Sequence, residues 1–406
     1  MHQKPEGFLT LILAGGQGER LYPLTKERAK PACPFAGIFR LIDFTLSNCV
    51  NSGIRRIYVL TQYMSTTLET HIREGWSIFS RELGEFIQTI PPQRRTAERW
   101  YEGTADAVFQ NLYILQEEKP LYVLILSGDH VYRMNYADMF QFHREKKAHL
   151  TVGCVEVDKK EAERFGVLEV DEAERIVSFE EKPSRPKILP GKAEKCLVSM
   201  GVYIFDTEEI VRALIKDAKK KNTSHDFGRD IIPQMLEDEK LVCCYNFSEK
   251  GEGYWKDIGT IDSYWEASME LLDIPSKFDL YHPGWPLRTY QEQNPPARII
   301  SSKRFPLQCE VLNSLISAGC IIDEAIVERS ILSPRVYIGR GSRIESSILM
   351  RGVKIGKNVL IRKTIIDEEV FVPDGYAIGY RFEEDAKKFL ISPGGVVIVP
   401  RRMHLD

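Results

Sequence analysis

The stretch LTLILAGGQGERLYPLTKERAKPA, residues 9–32, decides the first half of the fold. Its first six residues, LTLILA, are almost wholly apolar, which is typical of a strand that is covered on both faces. A glycine cluster at Gly15, Gly16 and Gly18 follows that strand directly. Glycine lets a backbone bring its N–H groups close to a ligand, so this turn is a candidate cradle for an anion.

Two basic side chains follow the glycine cluster, and they indicate which kind of anion the turn holds. Arg20 and Lys30 would neutralise several oxygens at once, which favours a polyphosphate. A dinucleotide-binding fingerprint would need a glycine where Leu21 stands, and the Gly-Lys-Ser/Thr of a P-loop is absent from the sequence. We also expect the residues after the glycines to open a helix whose N-terminus attracts the anion. The alternative is a plain tight turn after a buried strand.

Short apolar runs and longer amphipathic segments alternate along residues 1–275. The runs that predict strands are LTLILA (9–14), RRIYVLTQ (55–62), LYVLILSG (121–128), HLTVGCVEV (149–157) and MGVYIF (200–205). Between them, TADAVFQNLYILQEE (104–118) has the apolar spacing of a helix. The alternation predicts a Rossmann-like α/β domain with a mostly parallel, mixed sheet. Its ligands should bind beyond the carboxyl ends of the strands.

The hydrophobic period changes after residues 276–306, a proline-rich segment. We expect this segment to be a packed linker, because Tyr281, Trp285 and Tyr290 are too apolar for a free tether. In residues 307–406 an apolar residue recurs every five or six positions, at Ile322, Val327, Leu332, Ile338, Ile344, Leu349, Ile355, Ile361, Ile366, Val372 and Ile378. A period near six places one apolar side chain on each short flat strand of a β-solenoid. We therefore predict a C-terminal parallel β-helix with hexapeptide-like repeats. Ordinary short strands of a sandwich are the alternative.

Composition limits the classes of protein that this chain can represent. The net charge of −3 argues against a dedicated nucleic-acid surface. The eight cysteines are scattered without a C-x-x-C pair, so neither a zinc site nor a disulfide framework is expected. No signal-peptide pattern is present in the opening residues and no apolar stretch reaches the length of a membrane span, so we expect a cytoplasmic protein that binds no membrane.

Two aspartates stand at comparable places in the predicted α/β domain. Asp129 follows an apolar strand in LSGDH, and Asp257 lies in YWKDIGT ahead of a helical pattern. Carboxylate oxygens are the ligands that Mg²⁺ prefers, so the pair predicts one shared Mg²⁺ site. Taken singly, each aspartate would more often be a helix N-cap or a turn residue.

An ordered series of motifs adds to these observations. It runs AGGQGERLYPLTKERAKPA, FRLIDFTLSNCVNSGIRRIYVLTQY, WYEGTADAV, SGDHVY, SFEEKP, SMGVYIFD, SHDFGRDIIP and YWKDIGTIDSYWEA. In these motifs the chain resembles the sugar-nucleotide pyrophosphorylase family over nearly its whole length, and most closely the branch that forms ADP-glucose. The resemblance implies a nucleotidyltransferase domain followed by a left-handed parallel β-helix. It also implies reaction of ATP with α-D-glucose 1-phosphate, assisted by Mg²⁺, in a homotetramer that supplies glycogen or starch synthesis.

The same resemblance assigns roles to individual residues of this sequence. The catalytic set that it implies is Arg20, Lys30, Asp129, Lys182 and Asp257. The implied glucose 1-phosphate contacts are Tyr101, Gly166, Glu181, Lys182 and Ser199. The implied nucleotide contacts are Gly15, Gly16, Gly18, Arg20, Lys30, Gln93, Gly103 and Asp106. Communication between an activator and the active site is implied for Gln62 and Trp100.

Three alternatives compete with this interpretation. A phosphate cradle does not select a base, so UTP or dTTP could replace ATP. A non-catalytic regulatory subunit of the same fold should have lost the metal or phosphate residues. It is disfavoured because all four are present, namely Arg20, Asp129, Lys182 and Asp257. An acyl-transfer activity of the β-helix is disfavoured because it usually needs a histidine base, and the sequence has none between residues 320 and 380. The triplet DFG at 226–228 is expected to be a structural turn.

A small anionic allosteric effector is also implied, but this sequence departs from the family at its basic positions. Glu27, Ile38 and Ile391 stand where lysine or arginine is often found. Each lost charge-assisted contact is worth about 1.5–3 kcal/mol, so we expect a weakened response to sugar-phosphate activators. The cations left for another effector are Arg28, Arg40, Lys387 and Lys388. Strong activation by micromolar fructose 1,6-bisphosphate would contradict this expectation.

Overall fold

The computed structural model describes residues 7–92, 100–192, 194–250, 253–301 and 309–405. These residues form two compact units. The first unit contains the chain up to Gly16, together with Phe44–Ser65 and Ile72–Trp255. The second unit contains Gln17–Asp43, Thr66–His71 and the chain from Lys256 onward. The sequence-derived boundaries at 275 and 306 stay a prediction about folding domains.

The elements before residue 275 are strands and helices in alternation. The strands are β1 (Phe8–Ala14), β2 (Pro34–Phe35), β3 (Phe39–Arg40), β4 (Arg56–Thr61), β5 (Phe86–Ile90), β6 (Tyr122–Ser127), β7 (His130–Tyr132), β8 (Leu150–Asp158), β9 (Gly166–Val170), β10 (Ile176–Glu181), β11 (Lys195–Asp206), β12 (Val242–Asn246) and β13 (Trp255–Asp257). The α-helices are α1 (Leu41–Asn51), α2 (Ser65–Gly75), α3 (Thr104–Phe109), α4 (Leu112–Glu118), α5 (Tyr136–Lys146), α6 (Lys159–Ala162), α7 (Thr207–Ala218), α8 (Ile232–Glu237), α9 (Phe247–Lys250) and α10 (Ile261–Glu270). Single turns of 3₁₀-helix lie at Glu19–Leu21, Lys30–Ala32 and Arg81–Leu83, and a π-helix spans Phe227–Ile231.

The core of the first unit is a mixed sheet that has nine strands within the described residues. Its main path runs β10-β9-β11-β6-β1-β4-β5, while β8 joins β11 and carries β12. Strands β6, β1, β4 and β5 are parallel to one another, whereas β11 is antiparallel to β6. The strands in the row's centre are apolar on both faces, and Leu9, Ile12 and Val123 are fully buried. This agrees with the predicted Rossmann-like, mostly parallel sheet.

The C-terminal elements are very short strands that recur along the chain. They are β14 (Arg298–Ile300), β15 (Glu310–Leu312), β16 (Leu315–Ile316), β17 (Ile321–Asp323), β18 (Ile326–Glu328), β19 (Ile331–Leu332), β20 (Tyr337–Ile338), β21 (Arg343–Glu345), β22 (Ile348–Leu349), β23 (Lys354–Ile355), β24 (Leu360–Arg362), β25 (Thr364–Ile366), β26 (Phe371–Val372), β27 (Ala377–Ile378), β28 (Leu390–Ile391) and β29 (Val397–Val399), with the helix α11 at Phe382–Asp385. From β14 to β24, each strand pairs in parallel with the strand three places later, as β14 does with β17 and β15 with β18. This pairing produces three sheets among the described residues. This is the predicted parallel β-helix.

The repeat seen in the sequence is the interior of that β-helix. All eleven apolar residues of the predicted period belong to one core cluster, each with 1% exposure or less. In each coil one apolar side chain per strand points inward, because a two- or three-residue strand has room for only one. The sandwich alternative is therefore wrong.

Side-chain hydroxyls form a second ladder along the β-helix. The backbone N–H of Ser330 donates to Ser314 Oγ (3.0 Å), that of Ser347 donates to Ser330 Oγ (3.1 Å), and that of Thr364 donates to Ser347 Oγ (3.1 Å). Each hydroxyl in turn donates to a carbonyl two residues earlier on its own coil, as Ser330 does to Glu328 O at 2.7 Å. The ladder satisfies backbone groups where the coils turn and the strand pairing stops.

The proline-rich segment and the helix α10 both pack within the second unit. Thr289 Oγ1 donates to Asp43 Oδ2 at 2.7 Å, and the ring of Phe278 is buried. On α10, the indole Nε1 of Trp265 donates to Ser346 O at 2.9 Å. Asp262, also on α10, accepts from the backbone N–H of Gly394 at 3.1 Å. None of the helices in the described part of the chain has the length and apolar composition that crossing a membrane requires.

Candidate active site

The carboxyl ends of three parallel strands meet at one edge of the sheet in the first unit. Ala14 of β1 is in register with Thr61 of β4, and Leu13 of β1 is in register with Ser127 of β6. The residues that follow these strand ends line a cavity of about 490 Å³. The cavity therefore lies where the strand order predicts a ligand, beyond the carboxyl ends of the strands.

Most of the sequence-predicted residues of the first unit are found at this cavity. Its lining includes Gly15, Gly16, Gln62, Tyr101, Gly103, Asp129 and Glu181. Trp100 stacks on Tyr63, another lining residue, with ring centroids 5.5 Å apart and planes 13° apart. Gln93 lies outside the described residues.

Asp129 stands just after β6, where the loop turns into the cavity. Its Oδ1 accepts a short hydrogen bond from the hydroxyl of Ser127, the last residue of β6. His130 Nε2 lies 3.5 Å from the same oxygen, and the His130 ring meets the edge of Trp255 at a centroid distance of 5.0 Å. These neighbours hold a carboxylate whose side chain remains 21% exposed. Asp129 is thus an oriented and accessible carboxylate, which is suited to serve as an oxygen ligand.

Glu181 occupies a position that two glycines keep open. A Cβ on Gly166 would lie 2.8 Å from Glu181 Oε2, and a Cβ on Gly228 would lie 2.5 Å from the same atom. Both distances are too short for real contacts, so the carboxylate lies where only glycine leaves room. Burial raises the pKa of Glu181, although the ammonium of Lys182, 3.4 Å from Oε1, acts in the opposite direction. Such a group is suited to accept hydrogen bonds from a neutral polyol.

The segment around Gly103 is held against residues that lie more than a hundred positions later. A Cβ on Gly103 would be only 2.3 Å from the carbonyl oxygens of Ser224 and His225, so the two backbones touch. Thr104 Oγ1 donates to Asp226 Oδ2 at 2.8 Å. Asp106 accepts from the backbone N–H of Glu102 at 3.0 Å, which fixes the turn at the start of α3.

The triplet Asp226-Phe227-Gly228 lines the cavity, so its assignment as a structural turn alone was incomplete. Asp226 does cap the π-helix, because its Oδ1 accepts from the backbone N–H of Gly228 at 2.9 Å. Gly228 in addition borders Glu181 as described. The sequence offered no signal for this role, because the partner residue Thr104 lies 122 positions away.

Ser199 lies at an irregularity in β11. The register between β11 and β8 shifts between Ser199 and Val202, and Gly201 there has a φ of 68°. Ser199 Oγ accepts from the backbone N–H of Gly201 at 3.2 Å and lies 3.2 Å from the hydroxyl of Tyr203. Gly201 and Tyr203 are both cavity residues that sequence reasoning missed. Tyr101, on another wall, has its pKa raised by burial, while a hydrogen bond from Asn111 to its hydroxyl acts in the opposite direction.

The remaining predicted residues, Gly18, Arg20, Lys30 and Asp257, form a cluster in the second unit. Lys30 Nζ lies 3.2 Å from Asp257 Oδ1, with both side chains about nine-tenths buried. Asp257 Oδ2 and Arg20 Nη2 both lie beside Gly259, 2.7 Å and 3.2 Å from where its Cβ would be. Gly18 has a φ of 66°, and its carbonyl accepts from Thr25 Oγ1 at 2.9 Å.

The expected helix after the glycine turn is wrong. Only two 3₁₀ turns, Glu19–Leu21 and Lys30–Ala32, follow Gly18, and no α-helix begins before Leu41 in this fully described stretch. Pro23 and Pro31 lack the N–H groups that a helix through this segment would use. The carbonyl of Gly18 is instead taken by Thr25 and Leu21. An anion bound at this turn would therefore have to rely on turn N–H groups and on the two cations.

The donor chemistry of the two aspartates fits a divalent cation. Both offer carboxylate oxygens, with side chains that are 21% exposed for Asp129 and 12% exposed for Asp257. Hard cations such as Mg²⁺ prefer oxygen ligands of this kind. That the two carboxylates share one ion stays a prediction.

Comparison with known proteins identifies the class. Residues 9–274 match the nucleotidyl transferase family, and residues 295–399 match the GlmU-like C-terminal hexapeptide family. The second match agrees with a left-handed parallel β-helix. The chain is a nucleotidyl transferase.

Relatives of similar length narrow this further. A protein of Koribacter versatilis named glucose-1-phosphate adenylyltransferase is 45% identical over 98% of this chain and 96% of its own length. One of the same name from Nitrosococcus oceani is 47% identical over 97% of this chain and 94% of its own. Within the nucleotidyl transferases, the chain belongs to the glucose-1-phosphate adenylyltransferase family.

Proposed function

We propose that this protein transfers the adenylyl group of ATP to α-D-glucose 1-phosphate, forming ADP-glucose and diphosphate. The observation that carries the proposal is the cavity of the first unit. The strand-end turn Gly15–Gly16, the carboxylate of Asp129 and the carboxylate of Glu181 between its two glycines all line this cavity. The family membership of the chain supports the same reaction. ADP-glucose would then supply glycogen or starch synthesis.

The chemistry needs positioning and charge neutralisation more than proton transfer. The phosphate of glucose 1-phosphate is already an anionic oxygen nucleophile at neutral pH, so no general base is required. It must approach the α-phosphorus of ATP in line with the leaving diphosphate, against the repulsion of two polyanions. We assign Arg20 and Lys30 to the triphosphate, because they are the cations that flank the glycine turn in the sequence.

The sugar side is assigned to residues of the first unit. Glu181 accepts hydrogen bonds from glucose hydroxyls, and Lys182, half exposed beside it, meets the sugar phosphate as a point charge. Tyr101, Gly166 and Ser199 complete the glucose 1-phosphate contacts in this proposal. Gly103 and Asp106 shape the turn near the base and ribose, together with Gln93 outside the described residues.

Magnesium is the cofactor in this proposal, with Asp129 and Asp257 as its ligands. When bound, the ion would stabilise negative charge that develops on the phosphates. The part played by the chain itself is to aim the ligands. Ser127 and His130 orient Asp129, and Lys30 meets Asp257 at 3.2 Å.

The test is diphosphate release from glucose 1-phosphate with ATP, UTP, dTTP and GTP in turn, using wild type and Asp129→Asn. We expect ATP to be preferred and Asp129→Asn to lose more than about a hundredfold in kcat, because metal ligation supplies several kcal/mol of transition-state stabilisation. Glu172→Gln, which removes an exposed carboxylate of the same unit, is the control and should retain wild-type rates. Preference for UTP or dTTP would move the protein to that alternative. A wild-type chain that binds nucleotide without turnover would indicate a regulatory subunit.

We also propose a homotetramer and control by a small anionic effector, both from the family resemblance. A cavity of about 90 Å³ in the second unit is lined by Arg40 and Arg351, but also by Glu292 and Glu368. The two carboxylates balance the two guanidinium groups, so this cavity has no excess of cationic side chains from these residues. The weak response to sugar-phosphate activators therefore stays our prediction.

A further inference from the structure

Arg28 lies two residues before Lys30, and its guanidinium is held by the β-helix. Nη1 donates to Asp367 Oδ1 at 2.9 Å, and Nη2 donates to Glu368 Oε2 at 3.1 Å. All three side chains are more than nine-tenths buried. A buried guanidinium with two charge-assisted partners is a rigid anchor, because each hydrogen bond restricts its direction as well as its distance.

A second contact holds the other end of the same short segment. Arg40 Nη1 donates to the carbonyl of Ala32 at 3.1 Å, while its Nη2 donates to Glu368 Oε1 at 3.4 Å. Glu368 therefore ties down the 3₁₀ turn Lys30–Ala32 from both sides, through Arg28 and through Arg40. The coil that follows β25 thus limits where the backbone of Lys30 can lie.

The partner of Lys30 is anchored to the β-helix as well. Asp257 lies three residues before Thr260, the N-cap of α10. Asp262 on the first turn of α10 accepts hydrogen bonds from the hydroxyl of Ser392 and from the backbone N–H of Gly394. The segments that carry Lys30 and Asp257 are therefore fastened to the same β-helix.

We propose that Arg28, Asp367 and Glu368 are positioning residues, which hold Lys30 in place against Asp257 so that the pair is aligned for the reaction. This inference rests on the proposed function for its kinetic consequences. The competing explanation is that the buried charges affect stability alone, because removing one partner of a buried ion pair destabilises the folded state. The two explanations differ in the activity that they predict for the molecules that remain folded: positioning predicts a loss, and stability alone predicts none.

The experiment compares wild type, Arg28→Met and Asp367→Asn as full-length chains, without effectors. The matched control is Glu369→Gln at the residue next to Glu368. It breaks the exposed ion pair between Glu369 and Arg402. We expect Arg28→Met to lower kcat/KM for ATP by about tenfold to a hundredfold, the cost of misplacing a reacting group by about an ångström. The KM for glucose 1-phosphate should stay within about twofold of wild type, since Glu181 and Lys182 keep their own contacts. Asp367→Asn should show a smaller fall of the same kind.

A double-mutant cycle separates positioning from stability. In a Lys30→Met background, Arg28→Met should lower kcat/KM by no more than about twofold further, because the group that it positions is already gone. Activity that falls only in proportion to the unfolded fraction, with both KM values unchanged, would overturn the proposal. If Arg28→Met fails to fold, Asp367→Asn and its own cycle with Lys30→Met decide the question.

A crystal structure of the Arg28→Met or Asp367→Asn variant provides a readout that does not depend on activity. We expect the distance between Lys30 Nζ and Asp257 Oδ1 to lengthen from 3.2 Å to beyond about 4 Å, the limit of an ion pair. If Lys30 is displaced in the variant but the wild type makes no nucleotide sugar, the proposed function is refuted and the positioning role is retained. An unmoved Lys30 would overturn the positioning role even if the variant lost activity.

Discussion

Gly228→Ala is the sharpest single test of how the sugar side of the cavity is built. The added Cβ would lie 2.5 Å from Glu181 Oε2, whereas ordinary contact begins at 3.4 Å, so the carboxylate must retreat by about 0.9 Å. The backbone there is helical and has no positive φ, so alanine itself causes no backbone strain. The whole effect of the substitution is therefore expected to fall on Glu181 and on the neighbouring Asp226.

The size of the effect follows from what the displaced carboxylate loses. A hydrogen bond to a charged group is worth about 1.5–3 kcal/mol, and a shift of nearly an ångström removes most of one such bond to a glucose hydroxyl. At about 1.4 kcal/mol per factor of ten, kcat/KM for glucose 1-phosphate should fall by about tenfold to a hundredfold. The KM for ATP should remain within about twofold of wild type.

The assay is steady-state diphosphate release with each substrate varied in turn, on protein whose folding has been checked by circular dichroism. In a Glu181→Ala background there is no carboxylate to displace, so adding Gly228→Ala should change kcat/KM by less than about twofold. A folded Gly228→Ala enzyme with an unchanged KM for glucose 1-phosphate would refute the assignment of Glu181. An equal loss in the Glu181→Ala background would show that the substitution acts elsewhere.

Two further predictions concern stability. Ser347→Ala removes a buried hydroxyl that donates to Glu345 O and accepts from Thr364 N, so the free energy of unfolding should fall by about 1–3 kcal/mol. Denaturant titration measures the fall, with Ser314→Ala, at the half-buried end of the same ladder, as a comparison. His225 has a raised pKa: burial opposes the rise, but the hydrogen bond with Asp217 (2.7 Å) outweighs it. Its contribution is full below the unfolded value of 6.5 and is lost as pH rises through the higher folded value, so the melting temperature should decline above pH 6.5 in wild type and less so in His225→Gln. An equal decline in both proteins would contradict the assignment.

Local periodicity explains why much of the fold could be predicted. The strand at 9–14 and the six-residue period of the β-helix depend on which neighbours are apolar, and that is visible in the sequence. The predicted helix at 104–118 was only partly right, because it is divided into α3 and α4. Asn111 is placed at the break, where its Nδ2 donates to Ala107 O and to the Tyr101 hydroxyl. A polar side chain that bonds backbone carbonyls competes with helix continuation, and only the fold shows that its second partner is in reach.

The backbone conformation of the β-helix corners shows another limit of sequence patterns. Residues with positive φ recur every five or six positions, at Asn313, Gly319, Glu324, Arg329, Arg335, Gly341, Ser346, Gly352, Asn358, Lys363, Glu369 and Gly375. Four of these are glycine, and the other eight adopt a conformation that costs roughly 1–2 kcal/mol for a residue with a side chain. The apolar side chain that each coil buries must outweigh this cost. A search for glycine at turns would therefore have missed most corners.

The role of a cation depends on the carboxylates around it. The fold shows these carboxylates for Arg28 and Arg40, whereas the sequence alone does not. From the sequence, Arg28 and Arg40 were available to hold an anionic effector. In the fold, Glu368 accepts from both, at 3.1 Å and 3.4 Å, and the arginines lower the pKa of that buried carboxyl despite the opposing effect of its burial. An anion that bound Arg28 would have to displace a charge already inside the protein and leave Asp367 without its partner, which is costly for a buried group. The side chains that anchor the segment of Lys30 are therefore poorly suited to bind a ligand, because their carboxylate partners already occupy them.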